Sequence, residues 1–371
     1  MCECITTNNQ TCAKIGSRFT QKYGKRNSNI EILRILSMFM ILGLHVNVFS
    51  LGTPTAEECY YDPIPSFTRC ALEMICIIAV NLFVLISGWF SIKVRIKGLM
   101  KFLFQCFFIL SFVYLIGLSI GKATLSTGGI LQCFCLLGNA WFVPSYIGLY
   151  LLSPFLNLFC EKATEKQLRY FLIGFYIFQT MYGNVYTNVG FIANGYSTFS
   201  FIGLYILARY FNLYGRKYAR FGTSLYLIST IILIGGYWVT ISHGSQLISN
   251  MFYIYTCPFN ITAALGLLLM AVYMRERNNS VINFVAGSVF SVYLCHICLH
   301  WTTDLYRETS RSIFNEYSGL SYIVIIVAFI FGVFTLSIIV DQFRKLIWSS
   351  ISYRNLRIRS FSNYQNEYEK G

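Results

Sequence analysis

Two ionisable side chains within a long apolar stretch are the residues of this sequence best suited to chemistry. Arg34 and His45 lie in residues 30–51, IEILRILSMFMILGLHVNVFSL, which are long enough to cross a bilayer as one helix. A separation of 11 residues places them within roughly 20° of each other around an α-helix and about 16 Å apart along its axis. Ionisable groups in such a stretch usually face a protein interior or a wet cavity. We therefore expect one face of the first helix to carry both.

The two side chains suit different parts of one reaction. Imidazole titrates near neutrality and has two nitrogens, so His45 can take a proton from a hydroxyl and pass it on. The alternative is that His45 makes a packing hydrogen bond to a neighbouring helix. Arg34 carries a permanent charge that is suited to phosphate. The pair fits a long ligand with a phosphorylated end in the cytoplasm and a reactive end within the membrane.

The chain around these residues has the composition of a multi-span membrane protein. Of its 371 residues, 56% are hydrophobic and 12% are charged, against about 25% charged residues in a typical soluble domain. Apolar runs recur along the chain, which predicts an all-α polytopic membrane protein in a lipid bilayer. The ten predicted spans cover about residues 30–51, 71–90, 102–121, 141–159, 171–189, 198–213, 224–241, 258–274, 281–301 and 320–340.

The distribution of basic residues predicts the orientation of these spans. With both termini in the cytoplasm, 24 of the 29 Lys and Arg fall in cytoplasmic segments, four fall in outer ones and Arg34 lies within the first span. This bias follows the positive-inside rule. Because the basic residues are divided among short loops, we expect no nucleic-acid partner despite the net charge of +14. We divide the chain into a tail (1–29), a transmembrane domain (30–342) and a basic tail (343–371).

Two histidines near the end of the transmembrane domain raise the question of a metal site. His296 and His300 are four residues apart, on one face of a predicted helix, and are flanked by Cys295 and Cys298. Zinc needs three or four converging ligands, and no HExxH glutamate is present. We therefore expect no metal. From the residues alone, His296 is expected to make a hydrogen bond within the helix bundle.

Several motifs occur in an order that resembles the acyltransferase 3 family of integral membrane acyltransferases. Arg34, ten intervening residues and His45 follow the acidic start IEILR. LFVLISGW (82–89) resembles the family's FFxxSG ending. WFVPSYIGLYLLSPFLN (141–157) resembles its Trp, Tyr-Leu-Leu, Pro segment, and SVYLCH (291–296) resembles its late YLxH motif. The resemblance covers about residues 28–342.

This resemblance implies transfer of an acyl group, usually acetyl from acetyl-CoA, to a hydroxyl of a cell-surface polysaccharide or glycolipid precursor. His45 is then the general base or acyl relay, and Arg34 binds or orients the donor. The basic residues Lys93, Arg95 and Lys97 resemble the family's cytoplasmic patch for the CoA phosphates, although a positive-inside anchor explains them equally well. Acyl-CoA is a donor substrate here, so no bound cofactor is expected, and the family and topology suggest a bacterial plasma membrane.

The fourth predicted span supplies the candidate acceptor-binding residues. Trp141, Tyr146 and Tyr150 could stack on a sugar, although aromatic residues are also common at membrane interfaces. The resemblance implies that His296 supports the same acceptor site. Many family members carry a glutamate where this chain has Tyr146. Glu73 in the second span is an alternative orienting acid, or lies at the outer interface.

Two other classes of function remain open from the sequence. A transporter or flippase for a polar lipid or polysaccharide would use Arg34 and His45 to line a path. A catalytically inactive membrane scaffold would not bind CoA. We find no internal repeat of the kind from which many transporters are built.

Overall fold

The computed structural model describes residues 27–185 and 190–368, with side chains through residue 351. No strand occurs in this described part of the chain. The predicted tail up to residue 26 and the last four residues of the fifth predicted span (186–189) lie outside it. The α-helices, in chain order α1 to α16, are Ser28–Ser50, Ala56–Tyr61, Pro63–Cys76, Ala79–Phe90, Ile96–Ser119, Thr127–Cys133, Phe142–Lys162, Glu165–Thr180, Thr198–Leu213, Gly222–Ser242, Gln246–Tyr253, Pro258–Tyr273, Ser280–Ala286, Val289–His296, His300–Glu316 and Gly319–Tyr368.

Helix α1 is the central element of the bundle. It packs against α3, α4 and α12 to α16. The Asn27 side chain caps its first turn by accepting a hydrogen bond from the backbone N–H of Asn29, as an N-cap residue does. Two further contacts tie the start of α1 to the segment after α12: Ser28 Oγ to Asn283 Oδ1 at 3.0 Å, and Asn29 Nδ2 to the Arg275 carbonyl at 2.9 Å.

Seven helices or broken helices in the described residues are long and apolar enough to cross a membrane: Ser28–Ser50, Pro63–Phe90, Ile96–Ser119, Phe142–Lys162, Arg216–Ser242, Gln246–Tyr273 and Gly319–Ile351. A bent pair, Ser280–His296 with His300–Glu316, makes eight if it is one broken span. Helix α8, which a π-turn at Met181–Val185 extends, and the 16-residue α9 occupy the fifth and sixth predicted spans. They are not among the seven, so the prediction of ten spans remains untested.

The apolar helices differ in how much of their surface other helices cover. Other helices bury 72% of the apolar 18-residue stretch in Pro63–Phe90 and the same share of that in Gln246–Tyr273. In Gly319–Ile351 the buried share of the corresponding stretch is 17%. An apolar helix that protein leaves uncovered is suited to contact with lipid. We conclude that α3, α4 and α12 form the inner layer around α1, whereas α16 lies at the periphery.

The region predicted as one span (281–301) followed by an outer loop is built differently. It contains α13 and α14, and then a bend of 90° leads into the polar helix α15. His296 and His300 therefore end one helix and begin another, and the prediction that they share a helix face is wrong. The buried residues of α15 recur at helical spacing (Thr302, Thr303, Tyr306, Ser310 and Ile313) among its acidic residues, a pattern that predicts an amphipathic helix.

A buried polar cluster fixes α14 against the last helix. Asp341 on α16 accepts hydrogen bonds from Ser291 Oγ at 2.7 Å and Arg344 Nε at 2.7 Å. Both Asp341 and Arg344 are almost completely buried, and pairing is what makes two buried charges tolerable. Helix α16 continues without a break through the predicted boundary at residue 342.

Candidate active site

His45 and His296 form a hydrogen-bonded pair between α1 and α14. His45 Nδ1 and His296 Nε2 lie 3.0 Å apart, and His296 Nδ1 lies 2.7 Å from the carbonyl oxygen of Val292 on its own helix. Phe49, one turn after His45, stacks on the His45 ring with centroids 5.4 Å apart. Tyr306 on α15 meets His296 edge to face at 5.5 Å. The first helix and two later helices, α14 and α15, therefore fix the orientation of both rings.

The partners of the two rings determine where their protons lie when both imidazoles are neutral. A carbonyl oxygen can only accept, so His296 Nδ1 carries a proton and donates it to Val292. The other nitrogen of His296 then has a lone pair, which accepts from His45 Nδ1–H. His45 Nε2 is left with a free lone pair, and a positioned imidazole in this form can accept a proton.

His45 lines a cavity of about 220 Å³ between the helices. The first helix contributes Met38, Ile41, His45 and Val48 at helical spacing, together with Leu44 and Phe49. The remaining lining is apolar or aromatic, and half of it lies on α4, α7 and α14. Binding sites commonly combine such a lining with a few placed polar groups. The cavity is therefore a suitable place for a reaction that must exclude water.

Aromatic residues from three separated segments form one wall of this cavity. Trp141 meets the Tyr196 ring at a centroid distance of 4.3 Å and the Tyr255 ring at 6.0 Å. Tyr253 and Tyr293 line the same cavity. Of this group, the sequence argument selected only Trp141. The polar aromatic segments near residues 195 and 255 are the signal that could have indicated the others, although both fall between predicted spans.

Arg34 lies on the same face of α1 as the cavity residues, one turn before Met38. Arg34 itself is not part of the cavity lining. Its guanidinium is paired with the buried Glu31, with Nη1 at 3.0 and 2.9 Å from the two carboxylate oxygens. Its guanidinium carbon lies 5.8 Å from the centre of the Phe90 ring. About a third of the Arg34 side chain is exposed, so the arginine remains accessible at the end of the helix where α1 begins.

Tyr146 lies between Arg34 and the cavity. Its hydroxyl is within the electrostatic reach of the Arg34 guanidinium and lies 3.3 Å from Ser87 Oγ. Its ring stacks on Phe142, a cavity residue, at 5.5 Å. The aromatic side chain at this position therefore packs between the arginine and the cavity wall.

The basic residues Lys93 and Arg95 lie in a non-helical segment, residues 91–95, that follows α4. Tyr150 does not line the cavity but holds this segment: its hydroxyl accepts from the Arg95 N–H at 3.0 Å and donates to the Arg95 carbonyl at 3.1 Å. Lys97 follows in the first turn of α5, and all three basic residues are exposed. The segment begins at Ser91, which has a φ of 62°, a conformation uncommon outside glycine.

Glu73 is almost completely buried within Pro63–Phe90. Its Oε2 accepts a hydrogen bond from Asn47 Nδ2 at 3.0 Å. Glu73 is not in the cavity lining, but it lies beside Tyr253, and Tyr253 is a lining residue. The carboxyl group is therefore behind the cavity wall.

No group of three or more His, Cys, Asp or Glu converges on a possible metal position within the residues that the structure describes. His300 Nδ1 lies 3.3 Å from Gln132 Nε2, and the His300 N–H donates to Gln132 Oε1 at 3.0 Å. His300 therefore ties α15 to α6, whereas His296 is paired with His45.

Comparison with known proteins identifies the family of the chain. Curated proteins and solved structures gave no significant match. The family model of the acyltransferase domain Acyl_transf_3 matches residues 27–341, which include both histidines, Arg34 and every residue of the cavity lining. Together with the apolar helices, this match supports a membrane acyltransferase. The chain belongs to the acyltransferase 3 family.

Proposed function

We propose that this protein is an O-acyltransferase that moves an acetyl group from acetyl-CoA to a hydroxyl of a cell-surface polysaccharide or glycolipid precursor, in a bacterial plasma membrane. Another acyl-CoA could take the place of acetyl-CoA. The observation that carries the proposal is the histidine pair in a chain of this family. The pair leaves His45 Nε2 with a free lone pair, and His45 lines the cavity. Arg34 and the cytoplasmic basic residues bind the donor.

His45 acts as the general base in this proposal. Its Nε2 takes the proton of the acceptor hydroxyl as the oxygen attacks the thioester carbonyl. A carbon–oxygen bond forms, the carbon–sulfur bond breaks, and the proton passes from His45 to the departing CoA thiolate. His296 holds the required tautomer through the hydrogen bond at 3.0 Å and stabilises the imidazolium that forms transiently.

The donor enters from the end of α1 that carries Arg34. The arginine and the cavity residues Met38 and Ile41 follow one another on a single helix face. The separation between Arg34 and His45 is about 16 Å along the helix axis, which an extended pantetheine arm can span. Arg34, Lys93, Arg95 and Lys97 then meet the phosphates, and the thioester reaches His45.

The acceptor occupies the aromatic end of the cavity. Trp141 lines the same cavity as His45, and flat aromatic surfaces pack well against the CH face of a sugar ring. Tyr146 and Tyr150 support this end indirectly in our proposal, because they fix the helix that begins just after Trp141. His296 contributes through His45.

Replacement of His45 tests the proposal directly. We expect purified His45→Ala to lose acyl transfer by about 10²- to 10⁴-fold, the usual contribution of general acid–base catalysis, while its thermal unfolding stays close to that of the wild type. The assay follows radiolabel from [¹⁴C]acetyl-CoA into a detergent extract of membranes from cells that lack the gene. His243→Ala is the matched control, because this histidine is exposed at the end of α10 and outside the cavity.

Full activity of a folded His45→Ala protein would refute the assignment of the base. Movement of an acceptor across the membrane without transfer of label would instead favour the transporter. His296→Ala should also lower transfer, with a smaller loss, because it removes the partner of the base and not the base itself.

A further inference from the structure

A buried carboxyl group behind the aromatic wall of the cavity has no part in the reaction described above. Glu73 is 1% exposed and receives a hydrogen bond from Asn47 Nδ2 at 3.0 Å. The nearby cation Arg69 is engaged elsewhere: its guanidinium pairs with Glu58 at 3.1 Å and donates to the carbonyls of Leu51 and Gly52 at 2.8 Å. A buried carboxyl is costly unless its polar atoms are used, so the function of Glu73 needs an explanation.

The geometry of α1 directs Glu73 away from His45. Asn47, its hydrogen-bond partner, is two residues after His45, and residues at this spacing point to nearly opposite sides of a helix. His45 lines the cavity, whereas Asn47 is buried against α3 and also approaches the Arg69 carbonyl at 3.4 Å. Glu73 therefore does not orient the base.

Tyr253 connects Glu73 to the cavity. It is the last residue of α11, it is part of the cavity lining, and its hydroxyl lies beside the Glu73 carboxyl group. The backbone on both sides of Tyr253 is fixed, because Asn260 Nδ2 donates to the carbonyls of Phe252 at 2.9 Å and Ile254 at 2.7 Å. Asn260 is fully buried. This arrangement holds one tyrosine between a buried acid and the cavity.

We propose that Tyr253 is an acceptor-binding residue and that Glu73 is its positioning residue. The Tyr253 hydroxyl donates to Glu73, so its lone pairs accept a hydrogen bond from a second polar group of the acceptor while the reacting hydroxyl lies at His45. The cavity then selects molecules with at least two hydroxyl or amine groups over simple alcohols. This inference rests on the proposed function, and it assigns specificity to residues that the family resemblance did not select.

Separate measurements of donor and acceptor use test the inference. The probes are [¹⁴C]acetyl-CoA and the detergent extract of gene-deleted membranes, each varied at saturating concentration of the other. We expect Tyr253→Phe to raise the apparent KM for the extract about tenfold and to leave the KM for acetyl-CoA unchanged. Tenfold corresponds to about 1.4 kcal/mol, close to the loss of one hydrogen bond in a charged network.

Two further variants distinguish positioning from packing. Tyr237→Phe is the matched control, because this buried tyrosine stacks on Tyr253 at a ring-centroid distance of 6.4 Å but is absent from the cavity lining. We expect both of its KM values to equal those of the wild type. Glu73→Gln should raise the KM for the extract, and the effect should disappear when Tyr253 is already phenylalanine, because Glu73 acts through the hydroxyl.

The outcomes separate this inference from the proposed function. If Tyr253→Phe keeps the wild-type KM for the extract, or raises the donor and acceptor KM values by the same factor, the inference is overturned. Additive effects of Glu73→Gln and Tyr253→Phe overturn the role of Glu73. If the wild-type protein moves no label, the proposed function itself fails.

Discussion

At the scale of single residues, the ion pair between Arg34 and Glu31 limits how Arg34 can bind a donor. Both contacts to Glu31 use Nη1, at 3.0 and 2.9 Å, and Glu31 is buried whereas the arginine is partly exposed. A planar guanidinium has donors on three nitrogens. The pair therefore fixes the arginine through one nitrogen and leaves the remaining donors available to a phosphate.

Replacement of Arg34 should have two separable effects. Arg34→Gln leaves Glu31 buried without its cation, so we expect a loss of stability of about 1–3 kcal/mol, because truncation of a partly buried pair leaves an uncompensated charge. The double variant Arg34→Gln with Glu31→Gln should recover most of that stability. The KM for acetyl-CoA should stay raised in both variants, since neither supplies a cation. Thermal unfolding in detergent and CoA release measure the two effects. A double variant with the wild-type donor KM would show that Arg34 serves only as the partner of Glu31.

The sequence predicted the chemical types at the site better than their partners. The helical spacing of Arg34 and His45 identified the face of α1 that lines the cavity, and a regular helix is enough to make that prediction. The partner of His45 is 251 residues away, and no local pattern connects two such positions. The motif around His296 only suggested a hydrogen bond within the bundle or a role at the acceptor site.

At the scale of elements, two helices hold residues 91–95 against the bundle. Asn157 on α7 donates to the Ile92 carbonyl at 2.9 Å and accepts from Ser91 Oγ at 3.0 Å. Tyr205 on α9 accepts from the Ile92 N–H at 2.9 Å and donates to Asn157 Oδ1 at 2.7 Å. Close packing of α4 and α9 supports this contact, because a Cβ at Gly88 would lie 2.5 Å from the Tyr205 carbonyl oxygen. The missing side chain at Gly88 therefore allows α4 and α9 to approach closely.

Loosening this segment should affect the donor and not the chemistry. We expect Asn157→Leu to raise the KM for acetyl-CoA several-fold to about tenfold, since loss of a few hydrogen bonds of about 1 kcal/mol each frees the backbone that presents Lys93 and Arg95. The limiting rate with saturating donor should change less than twofold. Tyr205→Phe should give a smaller effect in the same direction. Initial rates of CoA release measure both.

A second tyrosine of α9 provides the control for that prediction. Tyr210→Phe is the same substitution five residues further along α9, where the hydroxyl approaches Glu165 at 3.5 Å and does not touch residues 91–95. It should retain the wild-type KM. An unchanged KM in Asn157→Leu would show that the basic residues act as membrane anchors and do not bind the donor.

Element boundaries were predictable where the apolar period was unbroken. The predicted first span, residues 30–51, differs from α1 by a few residues, whereas α15 was missed because its acidic residues suggested a loop. The second span begins at Pro63 instead of residue 71, because proline at the first helical position starts a helix there. Breaks such as the bend after His296 depend on contacts with distant helices, and these contacts leave no local signal.

At the scale of the whole molecule, the number of crossings determines which membrane face each site meets. The described residues contain seven helices that could cross alone and eight with the bent pair, and α8 and α9 would bring the total to ten. An even number of crossings places both termini on the same side of the membrane, as the distribution of Lys and Arg predicts. Seven crossings would place the termini on opposite sides. The donor route also depends on this point, because Arg34 must face the compartment that contains acetyl-CoA.

Cysteine labelling at two exposed positions determines the orientation. Tyr60 on α2 is 80% exposed and Ile96 at the start of α5 is 83% exposed, so either position should accept a cysteine with little effect on folding. We expect a membrane-impermeant maleimide to label Tyr60→Cys in intact cells and Ile96→Cys only after the membrane is opened, with wild-type protein as the background. A tag after Gly371 should be protected from added protease in intact cells. Labelling of Ile96→Cys from outside would place Arg34 and the basic segment away from cytoplasmic CoA, and the proposed donor route would then be wrong, because no thioester could reach His45 from that face.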